Sequence, residues 1–512
     1  MAIVLCIPIA ALPPSLQDNV ADIDRLKRAL SETLGEVTLV APWRLAGQVA
    51  KRFREAGFTG AALINQVEGR CELVDFLPAL PALLPAMALD LGTTYLEASL
   101  VDLLTGRRLA QAHCPNGQIP FGDDVLTRIH AASRGSGLAD LQKAAIASIN
   151  VLCVRLAEQA GCPTQAIRAM SVSGNPTMVH LFLGLEPYHL CREPYIPLVN
   201  APDTVCAVEL GLDINPAAPV FVLPGVGSYF GGDLISGILA SGLDQQEETS
   251  MLIDVGTNAE VVIGNREWLI ACAGAAGPAL EGGVARMGMR AGPGAIEHIA
   301  IDPASRAVEF QTIDQQPACG LCGSGIIDLV AGLYLAGIID RRGKFRPGSD
   351  PNRLVAHGNG VSYVVVPADQ AAAGRAVVLE QVDLDALMRS KAAMYAILST
   401  LISQVGLAFT DLHRIYVAGA FGRHIAPRQA ITLGMLPDLP LAVYRPIGNS
   451  SLTGAEMVLL DDQARSRCRQ IMQNITYVEL NVNQEFMLRF SGSKFIPHTN
   501  HNLFPSVPVF EW

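Results

Sequence analysis

One pattern occurs twice in the chain and limits its fold more than any other feature. Met87-Ala-Leu-Asp90-Leu-Gly92-Thr93-Thr94 returns as Met251-Leu-Ile-Asp254-Val-Gly256-Thr257-Asn258. In each copy an apolar run delivers Asp-x-Gly-Thr to its end. Each copy continues into a second β-rich run (Tyr95 to Val101; Ala259 to Ile263), then a polar turn (Thr105-Gly106-Arg107; Gly264-Asn265-Arg266) and a third strand. Two copies of a whole strand–turn–hairpin frame, separated by a long mixed region, imply two similar α/β domains facing each other.

The repeated turn suits phosphate binding. Glycine lacks the Cβ that would keep a phosphate from the backbone. The N–H groups after it and the Thr hydroxyls can donate to phosphate oxygens, and the carboxylate can hold Mg²⁺ through its waters. A single Asp-x-Gly-Thr is equally an ordinary turn after a buried strand. Two copies on matching frames favour a phosphate clamp.

Other segments carry weaker signals. Arg414 to Ala418 is apolar enough for a buried strand and arrives at Gly419-Ala-Phe-Gly422, where backbone can approach a flat base or ribose. Cys322-Gly-Ser-Gly325 opens a helix from Ile326 to Leu335 and offers helix N–H groups. Gly225-Val-Gly227-Ser-Tyr-Phe-Gly231-Gly232 has the wrong spacing for a dinucleotide fingerprint, and without a strand and an acidic residue in the expected places it reads as a backbone-packing loop. Cys319 and Cys322 have no second pair at metal-site spacing and read as two buried thiols beside a Gly-rich turn. His498-Thr-Asn-His501 sits in an irregular tail and reads as surface.

The rest of the chain sets the frame. With 512 residues, half of them hydrophobic and 17% charged, it can build several buried cores. A net charge of -11 and no basic cluster argue against nucleic acid as a partner. The apolar stretch from Leu77 to Leu91 is broken by Pro78, Pro81 and Pro85 and reads as a linker entering a buried strand, not a membrane span. Eleven scattered cysteines and no basic flank at the N-terminus point to a soluble, cytoplasmic protein with reduced thiols.

Several strings resemble one family, the reductive activators of corrinoid-dependent proteins. These are ATPases of the actin, sugar-kinase and chaperone (ASKHA) superfamily. The strings are Gly174-Asn-Pro-Thr-Met-Val-His180, Leu223-Pro-Gly-Val226, Asp254-Val-Gly-Thr-Asn-Ala-Glu260 and Ala276-Gly-Pro-Ala-Leu-Glu-Gly-Gly283. They continue with Cys322-Gly-Ser-Gly325, Ala418-Gly-Ala-Phe-Gly422 and Gly448-Asn-Ser-Ser-Leu-Thr-Gly454. The resemblance implies an α/β, two-lobed, ribonuclease H-like ATPase with a small N-terminal α/β domain. Residues 1–85 are similar to a shortened form of the family's middle domain, 86–250 to the first ATPase subdomain, and 251–512 to the second with a C-terminal return segment.

It also implies roles. Asp90 and Asp254 would position Mg²⁺ and its waters. Gly92, Thr93, Thr94, Gly256, Thr257 and Asn258 would hold the phosphates of ATP, and Gly323, Ser324, Gly419 and Gly422 would lie against the adenosine. Glu281 is the candidate for orienting the attacking water; its alternative is a carboxylate favoured at a helix N-terminus. Typical members begin with a [2Fe–2S] ferredoxin domain. This chain starts after the point where that domain would end and has no Cys-x4-Cys-x2-Cys run. The expectation is therefore ATP and Mg²⁺ as cofactors and no iron–sulfur cluster. The expected partner is a corrinoid protein or corrinoid methyltransferase, with a separate ferredoxin or reductase as electron donor. The assembly state stays open, with a homodimer as one option. A small-molecule kinase and an ATP-dependent assembly or chaperone factor are the other functions this fold allows.

Overall fold

The computed structural model describes residues 1–35, 38–67, 70–256, 259–274, 285–357, 360–480 and 484–510. The chain divides into two compact units. Unit 1 comprises Met1–Ala240 and Ser451–Gln473, and unit 2 comprises Ser241–Ser450 and Asn474–Trp512.

Unit 1 begins with a four-stranded sheet in the order Val4–Ala10, Thr59–Val67, Arg70–Leu77, Thr38–Val40. Two amphipathic helices, Asp22–Leu34 and Trp43–Glu55, bury Leu26, Leu30, Val49 and Phe53 in its core. Gly35 ends the first of these helices at φ +78°, a conformation glycine adopts without steric cost. Asp75 ties this sheet to the rest of unit 1. It is almost fully buried and pairs with Arg52 and Arg168 (both 2.9 Å) while accepting from Asn215 (3.3 Å).

The second sheet of unit 1 holds the first copy of the repeat. Its strands run Arg108–Pro115, Tyr95–Asp102, Pro85–Leu91, Met170–Gly174, Pro219–Val222, Val205–Cys206. Strand Pro85–Leu91 lies in the middle, antiparallel to Tyr95–Asp102 (Asp90 opposite Glu97) and parallel to Met170–Gly174 (Asp90 opposite Ser173). Nearly every residue of it is buried, as a central strand covered on both faces requires. Among the described residues, helix Gly137–Ala160 alone has the length and apolar composition to cross a bilayer. In this fold its stripe of Leu141, Ala145, Ile149, Leu152 and Leu156 is buried in the core of the sheet.

Unit 2 repeats the arrangement in the order Tyr444–Gly448, Ile415–Ala418, Ser250–Val255, Ala259–Gly264, Leu269–Gly274, Ile475–Tyr477. Asp254 faces Glu260 on the antiparallel side and Ala418 on the parallel side. Two three-stranded sheets and the helices Gly323–Leu335 and Gln381–Gln404 complete its core.

Residues 451–473, within the span expected to hold a C-terminal return segment, pack with unit 1. Three details differ from the sequence reading. The Gly225–Gly232 run does come after a strand, Pro219–Val222. Cys319 is exposed and only Cys322 is buried. His498 is half-buried, its ring packed against Tyr395 and Phe504.

Candidate functional site

In unit 1 the turn after Asp90 is held from behind. The Asn116 amide donates to the Gly92 carbonyl (2.9 Å), and Arg128 donates to the Thr93 carbonyl (2.6 Å). Arg128 is fully buried, and burial pulls its guanidinium down to about 10, so it stays charged at neutral pH. In a trans peptide the C=O and the next N–H point in opposite directions. Drawing back the carbonyls of Gly92 and Thr93 therefore turns the N–H groups of Thr93 and Thr94 the other way, as an anion site requires. Gly92 has no room for a side chain, because a Cβ there would strike the Tyr95 carbonyl.

The neighbouring parallel strand ends in Gly174-Asn175-Pro176. A Cβ on Gly174 would sit 2.9 Å from the Leu91 carbonyl. Asn175 caps helix Pro176–Leu183 by accepting from the Met178 N–H (3.0 Å), and its amide donates to the Thr93 hydroxyl (3.1 Å). Asp90 itself accepts from the Ser451 hydroxyl (2.7 Å). A second carboxylate, Asp233, stands in the first turn of helix Gly232–Ser241 and takes the Leu234 N–H (2.9 Å). Burial first, and then the charge of Asp90, push its carboxyl up to about 6. Sequence reasoning missed both Ser451 and Asp233. The available signal for Asp233 was an acidic residue directly after Gly231-Gly232, at the start of a helix.

In unit 2 the parallel neighbour of the Asp254 strand ends at Gly419, with φ +72°. A Cβ there would lie 2.9 Å from Asp254 Oδ1 and 3.1 Å from the Val255 carbonyl. Gly419 thus holds toward Asp254 the position that Gly174 holds toward the Asp90 strand. Gly422 lies one turn on in helix Gly419–His424, and a Cβ there would strike the Val417 carbonyl. This short helix packs on strand Ser250–Val255 and on helix Gly323–Leu335. Ser324 is buried and donates to the Glu297 carbonyl (2.9 Å). Gly256 ends the described part of its turn; Thr257, Asn258 and Glu281 lie outside the described residues.

No group of three or more His, Cys, Asp or Glu residues able to hold a metal occurs among the described residues. Two separate hard carboxylates fit Mg²⁺, which is commonly held by one or two carboxylates together with substrate phosphates and water. Two cavities in unit 1, of about 380 and 270 Å³, are both lined by Phe221 and Arg469, and neither includes Asp90.

His180, at the end of the Gly174–His180 string, has a structural task. Its Nδ1 is 2.7 Å from the Pro176 carbonyl, which can only accept, so Nδ1 carries the proton. Nε2 then accepts from the Leu198 N–H (3.2 Å) and anchors the preceding segment. Burial lowers the pKa of this imidazole; the Pro176 carbonyl and Glu186 oppose that shift. The folded state therefore resists a proton that the unfolded chain accepts below about 6.5. The stabilisation is complete above that pH and is lost as pH falls. Limited proteolysis of residues 186–200 should run several-fold faster at pH 5.5 than at 7.5, and His180→Phe should be cut quickly at both.

Comparison with known proteins places this geometry. The family model for the C-terminal domain of RACo, the ASKHA domain, matches residues 248–508, and that for the RACo middle region matches residues 85–246. The span 85–246 coincides with the one read from the sequence as the first ATPase subdomain, 86–250. The corrinoid activation enzyme RamQ of Eubacterium limosum is 31% identical over 477 residues, which span 91% of this chain and 78% of that protein. The [Co(II) methylated amine-specific corrinoid protein] reductase of Methanosarcina barkeri is 25% identical over 426 residues, spanning 76% and 72%. The solved structure of a reductive activator for corrinoid,iron-sulfur protein superposes with a TM-score of 0.90 at 36% identity, covering 99% of this chain and 81% of that one. With both family regions in order and a relative matched across most of its length, the chain belongs to the RACo family of reductive activators, with the ASKHA fold.

Proposed function

We propose that this protein is an ATPase that activates a corrinoid protein or corrinoid methyltransferase, promoting reduction of Co(II) to Co(I) by an electron from a donor outside these 512 residues. The observation that carries the reading is the same local construction in both units. In each, Asp-x-Gly ends a buried central strand, and the parallel strand beside it ends in a glycine packed against that turn.

Asp90 in unit 1 and Asp254 in unit 2 would each offer a carboxylate to Mg²⁺ and its waters, and the ion would supply positive charge to the phosphates of ATP. The N–H groups and hydroxyls of Thr93 and Thr94 take phosphate oxygens in unit 1. Gly256, Thr257 and Asn258 take them in unit 2, and Gly323, Ser324, Gly419 and Gly422 border the adenosine. Phosphoryl transfer requires chiefly alignment and charge neutralisation, which these residues provide. Asp233 joins Glu281 as a candidate for orienting the attacking water. Its raised pKa suits a proton acceptor working near neutrality.

ATP carries no reducing electron. It shifts the populations of bound states by the difference in affinity it creates, so the partner held in the ATP state becomes easier to reduce. A ferredoxin or a reductase is the donor. The protein acts in the cytoplasm.

The ATPase reading is tested by tracking the γ-phosphate with ATP and Mg²⁺ alone. Slow release of inorganic phosphate, abolished by chelating the metal, is expected. A phosphorylated small molecule in place of free phosphate would make the protein a kinase, and no nucleotide binding by calorimetry would remove the reading.

A further inference from the structure

The string Gly448-Asn-Ser-Ser-Leu-Thr-Gly454 has no part in the nucleotide contacts above. It opens helix Ser450–Leu460, whose residues from 451 onward pack on the Asp90 sheet. The helix is fixed there along one side. Ser171 donates to the Ala455 carbonyl (2.6 Å). Glu456 receives Arg108 through both oxygens (2.7 and 2.8 Å), and the Ser99 hydroxyl as well. A Cβ on Gly454 would lie 2.5 Å from the Ser236 Cα, so the glycine sets how closely the helix approaches.

At the start of this helix three serine hydroxyls meet. Ser451 Oγ is 2.7 Å from Asp90 Oδ1 and 2.8 Å from Ser173 Oγ, which is 2.9 Å from Ser236 Oγ. Ser173 and Ser236 are fully buried, and Ser451 nearly so. Each hydroxyl has one proton to give, and an ionised carboxylate can only accept. Ser451 therefore gives its proton to Asp90 and must accept from Ser173. Ser173, its proton committed, must accept from Ser236. All three hydrogen bonds run one way, toward the carboxylate, and bonds aligned in this manner polarise and strengthen one another.

We infer that Ser236, Ser173 and Ser451 form a one-way hydroxyl chain that fixes the Asp90 carboxylate, with Ser451 as its immediate positioning residue. This rests on the proposed role of Asp90 in holding Mg²⁺ with ATP. Ser451 touches neither nucleotide nor metal in this scheme. It sets the rotamer of Asp90 and occupies Oδ1 from the protein side. A hydroxyl bonded to a charged group is among the stronger hydrogen bonds of a fold, so its loss should be felt at Asp90 before anywhere else.

The inference predicts an order that burial alone would not give. Calorimetric affinity for ATP should be measured across a Mg²⁺ titration for Ser451→Ala, Ser173→Ala and Ser236→Ala, with a thermal melt of each. Mg²⁺-supported ATP affinity should fall most for Ser451→Ala, by roughly tenfold, less for Ser173→Ala and least for Ser236→Ala. Melting temperature should fall at least as far for the two fully buried serines as for Ser451. Ser451→Thr, which keeps the hydroxyl, should bind Mg²⁺ and ATP within about twofold of the unaltered protein. Affinity losses that track the melting temperatures, or a Ser451→Ala variant that binds normally, would overturn the inference. Asp90→Asn separates the two levels. If it also binds MgATP normally, the role of Asp90 itself is wrong; if it loses Mg²⁺-supported binding while Ser451→Ala does not, only the serine chain is.

Discussion

Asp254→Ala is expected to lower Mg²⁺-dependent ATP hydrolysis by at least about a hundredfold, the scale on which one preorganised electrostatic group contributes to catalysis. Asp254 is the last residue but one of a central strand whose other residues are all buried, and its own side chain is partly open. The strand is fixed by pairing on both sides, and the apolar residues Met251, Ile253 and Val255 anchor it in the unit 2 core. Removing the carboxylate takes away a charge at the strand end and leaves the core unchanged. The expected signature is lost turnover with an unaltered melting temperature in the absence of nucleotide. Near-normal hydrolysis that still requires Mg²⁺ would show that the second Asp-x-Gly-Thr turn does not handle the metal.

A second large effect is expected at a residue without a side chain. Gly419 combines φ +72° with a Cα turned toward Asp254 Oδ1. Alanine there meets two penalties. The left-handed backbone costs about 1–2 kcal/mol for an L-residue, and the new methyl group presses on the carboxylate at 2.9 Å. The backbone term alone corresponds to roughly a tenfold change in an equilibrium constant. Displacement of Asp254 adds a loss of turnover beyond it, since small misplacements of reacting groups are costly. Gly419→Ala should therefore melt earlier and also hydrolyse ATP at least about tenfold more slowly. Steady-state kinetics at saturating Mg²⁺, alongside a thermal melt, checks both. A variant that melts earlier but turns over normally would confine Gly419 to packing.

The sequence carried the hairpin half of each unit in full. Apolar runs, turn residues and the Asp-x-Gly-Thr spacing are all local, and the structure pairs Asp90 with Glu97 and Asp254 with Glu260 as such hairpins require. The strand before Gly419 was legible too, but its match to a strand in the other unit was hidden. Strands Met170–Gly174 and Ile415–Ala418 occupy equivalent places, yet Ser173-Gly174-Asn175 and Ala418-Gly419-Ala420 have only the glycine in common. Their equivalence is one of backbone position, and a parallel neighbour far along the chain leaves no local periodicity to read.

The same reason hid Ser451, which reaches Asp90 across 361 residues. Serine in a helix start ordinarily signals nothing more than a cap. Asp233 is masked in the sequence by the glycines before it; what marks it is partial burial within reach of the charge of Asp90, a three-dimensional property. The family strings, by contrast, were legible as strings. Gly174, Asn175, His180 and Gly419 each have an identifiable structural task, while Ala276–Gly283 lies wholly outside the described residues.

The central claim, that ATP use here drives reduction of a corrinoid, is tested most directly by monitoring Co(I) absorbance. The mixture contains the protein, a corrinoid protein in its Co(II) state, ATP with Mg²⁺, and either no reductant, a ferredoxin, or a low-potential chemical donor. Co(I) should form only when ATP and a donor are both present, and Asp254→Ala should abolish it. Co(I) formation at the same rate and extent without ATP, with unchanged affinity between the two proteins, would contradict the account.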